Sequence, residues 1–244
     1  MSQKRYFITF GGPTENYHNA VKRICKEAQD LRVFHEVIGK TDLDLKNDKD
    51  FWDKQSKFIE NNKRGYGYWL WKSYIVLSQL EKMNDNDILL YCDSGCHLNP
   101  NGLRRLVEYI KMVNNSEYGI LSFQMEHLEH TWTKNDLFVE MNIPDEHKIS
   151  GQHIATIFFV RKTENTVNLF KEYYNYVSNY HLLDDTPSIT LNHSSFREHR
   201  HDQSILSLLF KKYGTVTLAD ETYFKNWQID GIKFPIWATR YRNG

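Results

Sequence analysis

Apolar positions along this chain switch between two periods, and each switch marks an element. Residues 5–10 (RYFITF) are a β-rich run ending in GGPTENY, after which Tyr17, Val21, Ile24 and Ala28 recur at helical spacing and predict a helix over 16–30. VFHEVI at 33–38 reads as a second strand, followed by a polar loop and a short amphipathic helix, DFWDKQSKFIEN. A helix is predicted from Tyr68 to Met83, with Leu70, Tyr74 and Leu77 in one stripe and Asn84-Asp85 ending it. DILLYC is then short and continuously apolar, the mark of a central strand covered on both faces. Asn99 and Pro100 make an N-cap and first-turn pair for a helix reaching Val113, and GILSF follows as a strand.

The second half is less regular. TWTKNDLFVEM reads as a loop entering a helix, HIATIFFV as a strong strand, and residues 163–180 as a helix rich in Tyr and Phe. DDTPSITLNHSSFREHRH is a long polar stretch, and loops of that length inside a compact domain commonly serve as lids or substrate walls. DQSILSLLFKKYG is a helix closed by Gly214, and TVTLA is the last strand before an aromatic tail. No repeat or low-complexity linker interrupts the series. The expectation is an α/β fold, a mostly parallel central sheet flanked by helices, formed as a single domain over residues 1–244.

Composition narrows the partners. With 40% hydrophobic and 14% aromatic residues over 244 positions, the chain can bury a sizeable core. Lys plus Arg equals Asp plus Glu at 31 each, so no global field draws in nucleic acid or an anionic membrane, and neither is expected as a partner. Local charge can still bind a phosphate-bearing small molecule. No run approaches the ~20 apolar residues that span a bilayer, and MSQKRYFITF carries no apolar leader core, so a soluble, cytoplasmic protein is expected. Cys25, Cys92 and Cys96 read as packing thiols of a reducing compartment; Cys92, Cys96 and His97 lack a fourth ligand at zinc-finger spacing.

Candidate chemistry gathers at three places. Asp93 directly follows the DILLYC strand, and open α/β sheets bind ligands beyond the carboxyl ends of their strands. Ser94-Gly95 lets the backbone turn there, and a carboxylate so placed suits Mg²⁺ or Mn²⁺, although Asp is also a common turn cap. Upstream, Tyr68 and Lys72 are one helical turn apart, with Trp69 and Trp71 flanking them. A lysine over a diphosphate and rings against a base or sugar would use them; so would a core with Lys72 reaching into water. GGPTENY is neither a dinucleotide-binding nor a phosphate-binding glycine motif, which leaves Gly11 in a βα turn and Thr9 and Tyr17 at the edge of the sheet end. In FREHRHDQS, His199, Arg200, His201, Asp202 and Gln203 crowd the mouth of a helix, where Asp202 can be a cap or an acid that handles protons.

GYGYWLWK, DILLYCDSGC, TWTKNDLF and HRHDQSILSLL, in that order, resemble a group of GT-A-type glycosyltransferases of bacterial polysaccharide loci and large DNA viruses, from the first strand to about residue 215. The resemblance implies a Rossmann-like sheet, a nucleotide-diphosphate sugar as donor and a glycan hydroxyl as acceptor. Residues 1–115 would be the donor-binding half and 116–244 the acceptor and catalytic half. It implies a nucleotide site at Asp93 and an active-site pair, Asp202 and Gln203; with the residue reading above, the expected donor contacts are Thr9, Gly11, Tyr17, Tyr68, Lys72, Asp93, Ser94, Gln152 and Gln203, and the expected catalytic residues are Asp202 and His201. Gln152 and His153 would line the pocket. Asp93 would hold Mn²⁺ or Mg²⁺, as in an Asp-x-Asp motif, but this chain has Asp93-Ser94-Gly95. Asp220, a histidine of 199–201 or water would then complete the coordination, or Lys72 and Lys134 would neutralise the diphosphate instead. Two rival functions remain at this level: a non-catalytic binder of nucleotide sugar or glycan, and a metal-dependent phosphodiesterase using Asp93 with the histidines.

Overall fold

The computed structural model describes residues 3–241. In chain order the elements are β1 (Arg5–Gly11), α1 (Glu15–Asp30), β2 (Glu36–Thr41), α2 (Asp42–Asn47), α3 (Lys49–Asn61), α4 (Gly65–Tyr68), α5 (Trp71–Lys82), β3 (Ile88–Cys92) and β4 (His97–Leu98). They continue with α6 (Leu103–Asn115), β5 (Ile120–Leu128), α7 (Glu129–Trp132), α8 (Asn135–Glu140), α9 (Asp145–Lys148), β6 (Gly151–Arg161), α10 (Glu164–Ser178), α11 (Tyr180–Leu183), α12 (Asp202–Tyr213), β7 (Val216–Ala219) and β8 (Ile236–Trp237).

Six strands form one sheet in the order β2-β1-β3-β6-β5-β7. β2, β1, β3, β5 and β7 run the same way and β6 runs against them, so the sheet is mostly parallel, as expected, with one reversed strand at its middle. β3 is enclosed between β1 and β6, which accounts for its unbroken apolar run. Alternation along the strands divides the core into two layers. Ile8, Phe10, Leu89, Tyr91 and Phe158 pack with α5, α10 and α12, whereas Phe7, Leu90, Cys92, Ile157 and Phe159 pack with α1 and α6. A smaller antiparallel pair, β4 with β8, joins the chain just after β3 to the aromatic tail.

Two elements differ from their sequence expectation. The second strand lies at 36–41 rather than 33–38, because the ladder with β1 starts at Tyr6 opposite Glu36; Val33 and His35 are held before it by bonds to the Arg5 side chain and carbonyl. β2 is an edge strand, half exposed throughout, so no alternation marked its limits.

The helix expected from Tyr68 begins only at Trp71. Before it, Gly65, Tyr66, Gly67, Tyr68 and Trp69 all have positive φ, from 51° to 85°, and wind a left-handed turn closed by Tyr68 N–H to Arg64 O (2.8 Å) and Trp69 N–H to Gly65 O (3.1 Å). Left-handed helix costs an L-residue roughly 1–2 kcal/mol, and two of the five positions are glycines, which escape that cost. Packing stabilises the rest. Trp71 Nε1–H donates to Gly65 O (3.0 Å), and the Trp71 ring stacks on Phe10 at 3.9 Å.

Candidate active site

The left-handed turn decides where Lys72 goes. It sets α5 so that Lys72, in the first turn, is buried at 2% exposure and points across the sheet toward β6 and α12. Its Nζ donates to Ala155 O (3.0 Å), lies 2.8 Å from Asp202 Oδ2 and 3.6 Å from Asp93 Oδ1. Three acceptors therefore surround the three protons of one ammonium.

Asp93 is the first residue beyond β3, tied there by its N–H to Thr156 O (2.9 Å). Tyr91 O–H donates to Asp93 Oδ1 (2.6 Å), and about a third (32%) of the Asp93 side chain faces solvent. Asp202 opens α12 but does not cap it. The residue in the capping position is His201, which makes no side-chain cap bond, and the Asp202 carboxylate takes Lys72 and the Tyr173 hydroxyl (3.2 Å) instead. The cap role weighed for Asp202 is thus replaced by a buried ion pair. Burial pushes the Asp202 carboxyl above its ordinary value, with Lys72 opposing that shift. For Lys72 burial acts the other way, but Asp202 and Asp93 outweigh it and hold the ammonium above its ordinary value. Burial and the adjoining carboxylates push the Tyr91 and Tyr173 hydroxyls well up, so both remain donors. One cation between two carboxylates leaves a net negative centre, reached from solvent at Asp93.

Tyr68 and Lys72 do not share a helical face. The Tyr68 hydroxyl donates to Asp185 Oδ2 (3.0 Å), and its ring packs 4.7 Å from that of His201. His201 is buried at φ +54°, a strained setting for a non-glycine residue, with Nδ1–H donating to Leu183 O (2.8 Å). Its Nε2 has no hydrogen-bond partner and stands 3.6 Å from Asp185 Oδ1. Arg64 reaches the same carboxylate at 3.1 Å, so the long loop between α11 and α12 is tied to the left-handed turn.

Gln203 does reach Gln152. It accepts from Ala155 N–H (3.3 Å) and donates to Gln152 Oε1 (2.7 Å), while Gln152 donates to Glu129 Oε2 (3.0 Å). Glu129 is fully buried and pairs with Lys211 at 2.8 Å. Gln152 is thus enclosed beneath Gln203 rather than lining open space. His153 is buried against Ser122 Oγ (2.7 Å), and burial, with Lys211 adding, pushes it down to about 3.

Thr9, Gly11 and Ser94 lie on the opposite layer, under α1. Thr9 is fully enclosed with its hydroxyl unpartnered. A Cβ at Gly11 would come within 2.6 Å of Tyr17 O and 3.0 Å of Ser94 Oγ, so Gly11 lets α1 close onto the ends of β1 and β3. Tyr17 is half-buried beside it.

Several residues were not anticipated. Asp42, just beyond β2, accepts from His18 Nε2 (2.7 Å) and Lys46 Nζ (2.8 Å); burial would raise its carboxyl, but those bonds outweigh it and hold it below the ordinary value. It sits against Gly12, whose Cβ would be 2.8 Å from Asp42 Oδ1. The signal was an acid at the end of a βα unit, hidden in what read as polar loop. Tyr91 and Tyr173 were read only as apolar.

Among the described residues no group of three or more His, Cys, Asp or Glu side chains is placed to hold a metal ion. Asp93 offers a single carboxylate, one oxygen already on Tyr91 and near the Lys72 ammonium. Asp220 turns its carboxylate to Thr222, and His199 and His201 to backbone carbonyls. The residues present therefore do not fit a protein-held Mn²⁺ or Mg²⁺.

The fold of this mixed α/β sheet is similar to that of a glycosyltransferase involved in the glycosylation of the major capsid of PBCV-1, at a TM-score of 0.54 and 11% identity over 96% of this chain and 91% of that one. Mouse xyloside xylosyltransferase 1, in its apo form, is similar at a TM-score of 0.46 and 12% identity over 96% of this chain and 97% of that one. The α/β fold expected from the sequence is present, and its likeness is to glycosyltransferases. No family model matches the sequence, and no curated protein does. Among the described residues no helix is long and apolar enough to cross a membrane.

Proposed function

We propose that this chain is a glycosyltransferase of GT-A type, moving a sugar from a nucleotide-diphosphate sugar to a glycan hydroxyl, with residues 1–115 binding the donor and 116–244 supplying acceptor contacts and catalysis. The observation that carries this reading is the Lys72 ammonium between Asp93 and Asp202 at the carboxyl end of β3, where open α/β sheets bind ligands. The fold shared with a glycosyltransferase supports it. In this reading Asp93, the part-exposed member, receives donor hydroxyls. Asp202 is the carboxylate that takes the acceptor proton or steadies positive charge at the sugar carbon, and Lys72 positions it. Gln203, fixed by Gln152 and Ala155, would orient the donor sugar, and Tyr17 would border the base. No step runs through a metal ion, because the residues present do not fit one.

The test is calorimetry with a panel of nucleoside diphosphates and their sugar conjugates, followed by product analysis with a mixed glycan acceptor. Transfer with release of nucleoside diphosphate is the expected result. Binding heat without transfer would make the chain a binder, and release of nucleoside monophosphate would make it a phosphodiesterase.

A further inference from the structure

Gly95 stands where an Asp-x-Asp motif has its second acid, and the chain does not leave that place open. The Gly95 carbonyl accepts from Tyr241 N–H (2.8 Å) and Thr239 Oγ1–H (3.0 Å). A Cβ built on Gly95 would lie 3.4 Å from the Arg240 Cα, so the tail backbone passes directly over the turn that follows Asp93.

The strap is fastened from both sides. β8 pairs with β4 through Trp237 opposite His97, and His97 Nδ1 is bonded to Thr239 Oγ1 at 2.9 Å. From below, Arg23 Nη2–H donates to Ser94 O (2.8 Å) and Nη1–H to Cys96 O (2.9 Å), with the guanidinium 5.6 Å from the Tyr241 ring centre. These bonds join turn and tail into one unit.

Arg240 is the residue this unit presents. It is exposed, has a φ of +57°, and makes no ion pair among the described residues. The other cations near the site are already engaged. Lys72 is held by Asp202, Asp93 and Ala155 O, Arg23 by Glu27 and two carbonyls, and Lys134 by the carbonyls of His181 and Thr186. An exposed arginine whose backbone crosses the turn after Asp93 brings a cation to the place where an Asp-x-Asp motif has its second carboxylate. Guanidinium groups bind phosphate oxygens through two parallel hydrogen bonds.

We propose that Arg240 is the cation that holds the diphosphate of the donor, in the position where an Asp-x-Asp site would place a metal ion; this rests on the glycosyl-transfer reading above. In transfer, the acceptor oxygen bonds to the sugar carbon and gives its proton to a carboxylate. The bond from that carbon to the diphosphate breaks, and the diphosphate leaves with the electron pair. Arg240 neutralises the charge that then appears on it.

The test is titration calorimetry of wild type, Arg240→Met and Arg240→Lys with uridine, guanosine, cytidine, adenosine and thymidine diphosphates and the matching monophosphates. Each is run in EDTA and again with Mn²⁺. The expected result is diphosphate binding by wild type in EDTA, weakened tenfold or more in Arg240→Met and partly restored in Arg240→Lys, with monophosphate affinity nearly unchanged. Equal diphosphate affinity in wild type and Arg240→Met overturns the proposal, as does binding that needs Mn²⁺. Failure of wild type to bind any of the nucleotides under either condition overturns the donor site itself, and Arg240 with it.

Discussion

The Lys72 ammonium meets the Asp202 carboxylate at 2.8 Å with both side chains enclosed, at 3% and 5% exposure. A pair so buried is held by mutual need: either charge alone would be stranded in a medium that solvates it poorly. Stability and the proposed activity therefore fall on the same two residues.

Lys72→Met keeps the stem and removes the charge, which leaves Asp202 buried without its cation. Breaking such a pair from one side costs about 3–5 kcal/mol. The double variant Lys72→Met/Asp202→Asn should recover much of this, because no uncompensated charge remains. Chemical denaturation of the two variants beside wild type measures it, and equal loss in both would show that the stem's packing, not the ion pair, is what matters.

Asp202→Asn tests the catalytic role proposed for this carboxylate. Turnover should fall by roughly 10²–10⁴ with donor affinity little changed, since the loss falls on the transition state. The helix should start where it does now, because Asp202 is not its cap. Measuring kcat and donor Kd on one preparation separates the effects; wild-type turnover would move the search to Asp185, the half-exposed carboxylate beside Tyr68 and His201.

Asp136 anchors the long loop by accepting from Ile189 N–H (2.8 Å), Thr190 N–H (2.7 Å) and His181 Nε2 (2.7 Å). Burial would raise its carboxyl, but the bonds from Thr190, Ile189 and His181 outweigh it and hold it well below the ordinary 3.8. In that range an opened loop takes up a proton that the closed one refuses, so acid favours opening. Loop protection should be full above pH ~4 and lost as pH falls toward the lower, anchored value. Hydrogen exchange of residues 186–192 reads this directly, and Asp136→Asn should show the acid-state exchange at neutral pH. A flat profile in wild type would rule out the anchor.

Gly67→Ala addresses the left-handed turn. The substitution meets both a φ of +85° and an Ile59 Cγ1 only 2.8 Å from the new Cβ. A loss of at least ~1–2 kcal/mol in unfolding free energy is expected from the backbone alone. Because this turn aims α5, the variant should also weaken the Lys72–Asp202 pair, visible as non-additivity when it is combined with Lys72→Met. Strict additivity would uncouple the two features.

Much of the sheet could be read from residue patterns because burial on both faces leaves unbroken apolar runs, as in ILLYC and HIATIFFV. The reversal of β6 could not, since strand direction is set by pairing across the sheet and not by local sequence. At the left-handed turn, the stripe of Leu70, Tyr74 and Leu77 is compatible with a helix reaching back to Tyr68, and only the spacing of Gly65 and Gly67 hinted otherwise. Asp93 was placed correctly beyond β3 because strand ends are locally visible. The partners of Asp202 were not, because Lys72 and Tyr173 come from distant segments and a carboxylate at a helix start looks like a cap.

The wide separation of these partners also bears on assembly. Lys72 and Asp93 come from the first hundred residues, whereas Asp202 arrives on the last long helix. Contacts between distant segments must first meet the entropy of closing the intervening chain, so they form late. A chain emerging from the ribosome has its first two charged members synthesised well before the third is made. The charged centre is complete only when α12 docks, which makes it a marker that folding has finished.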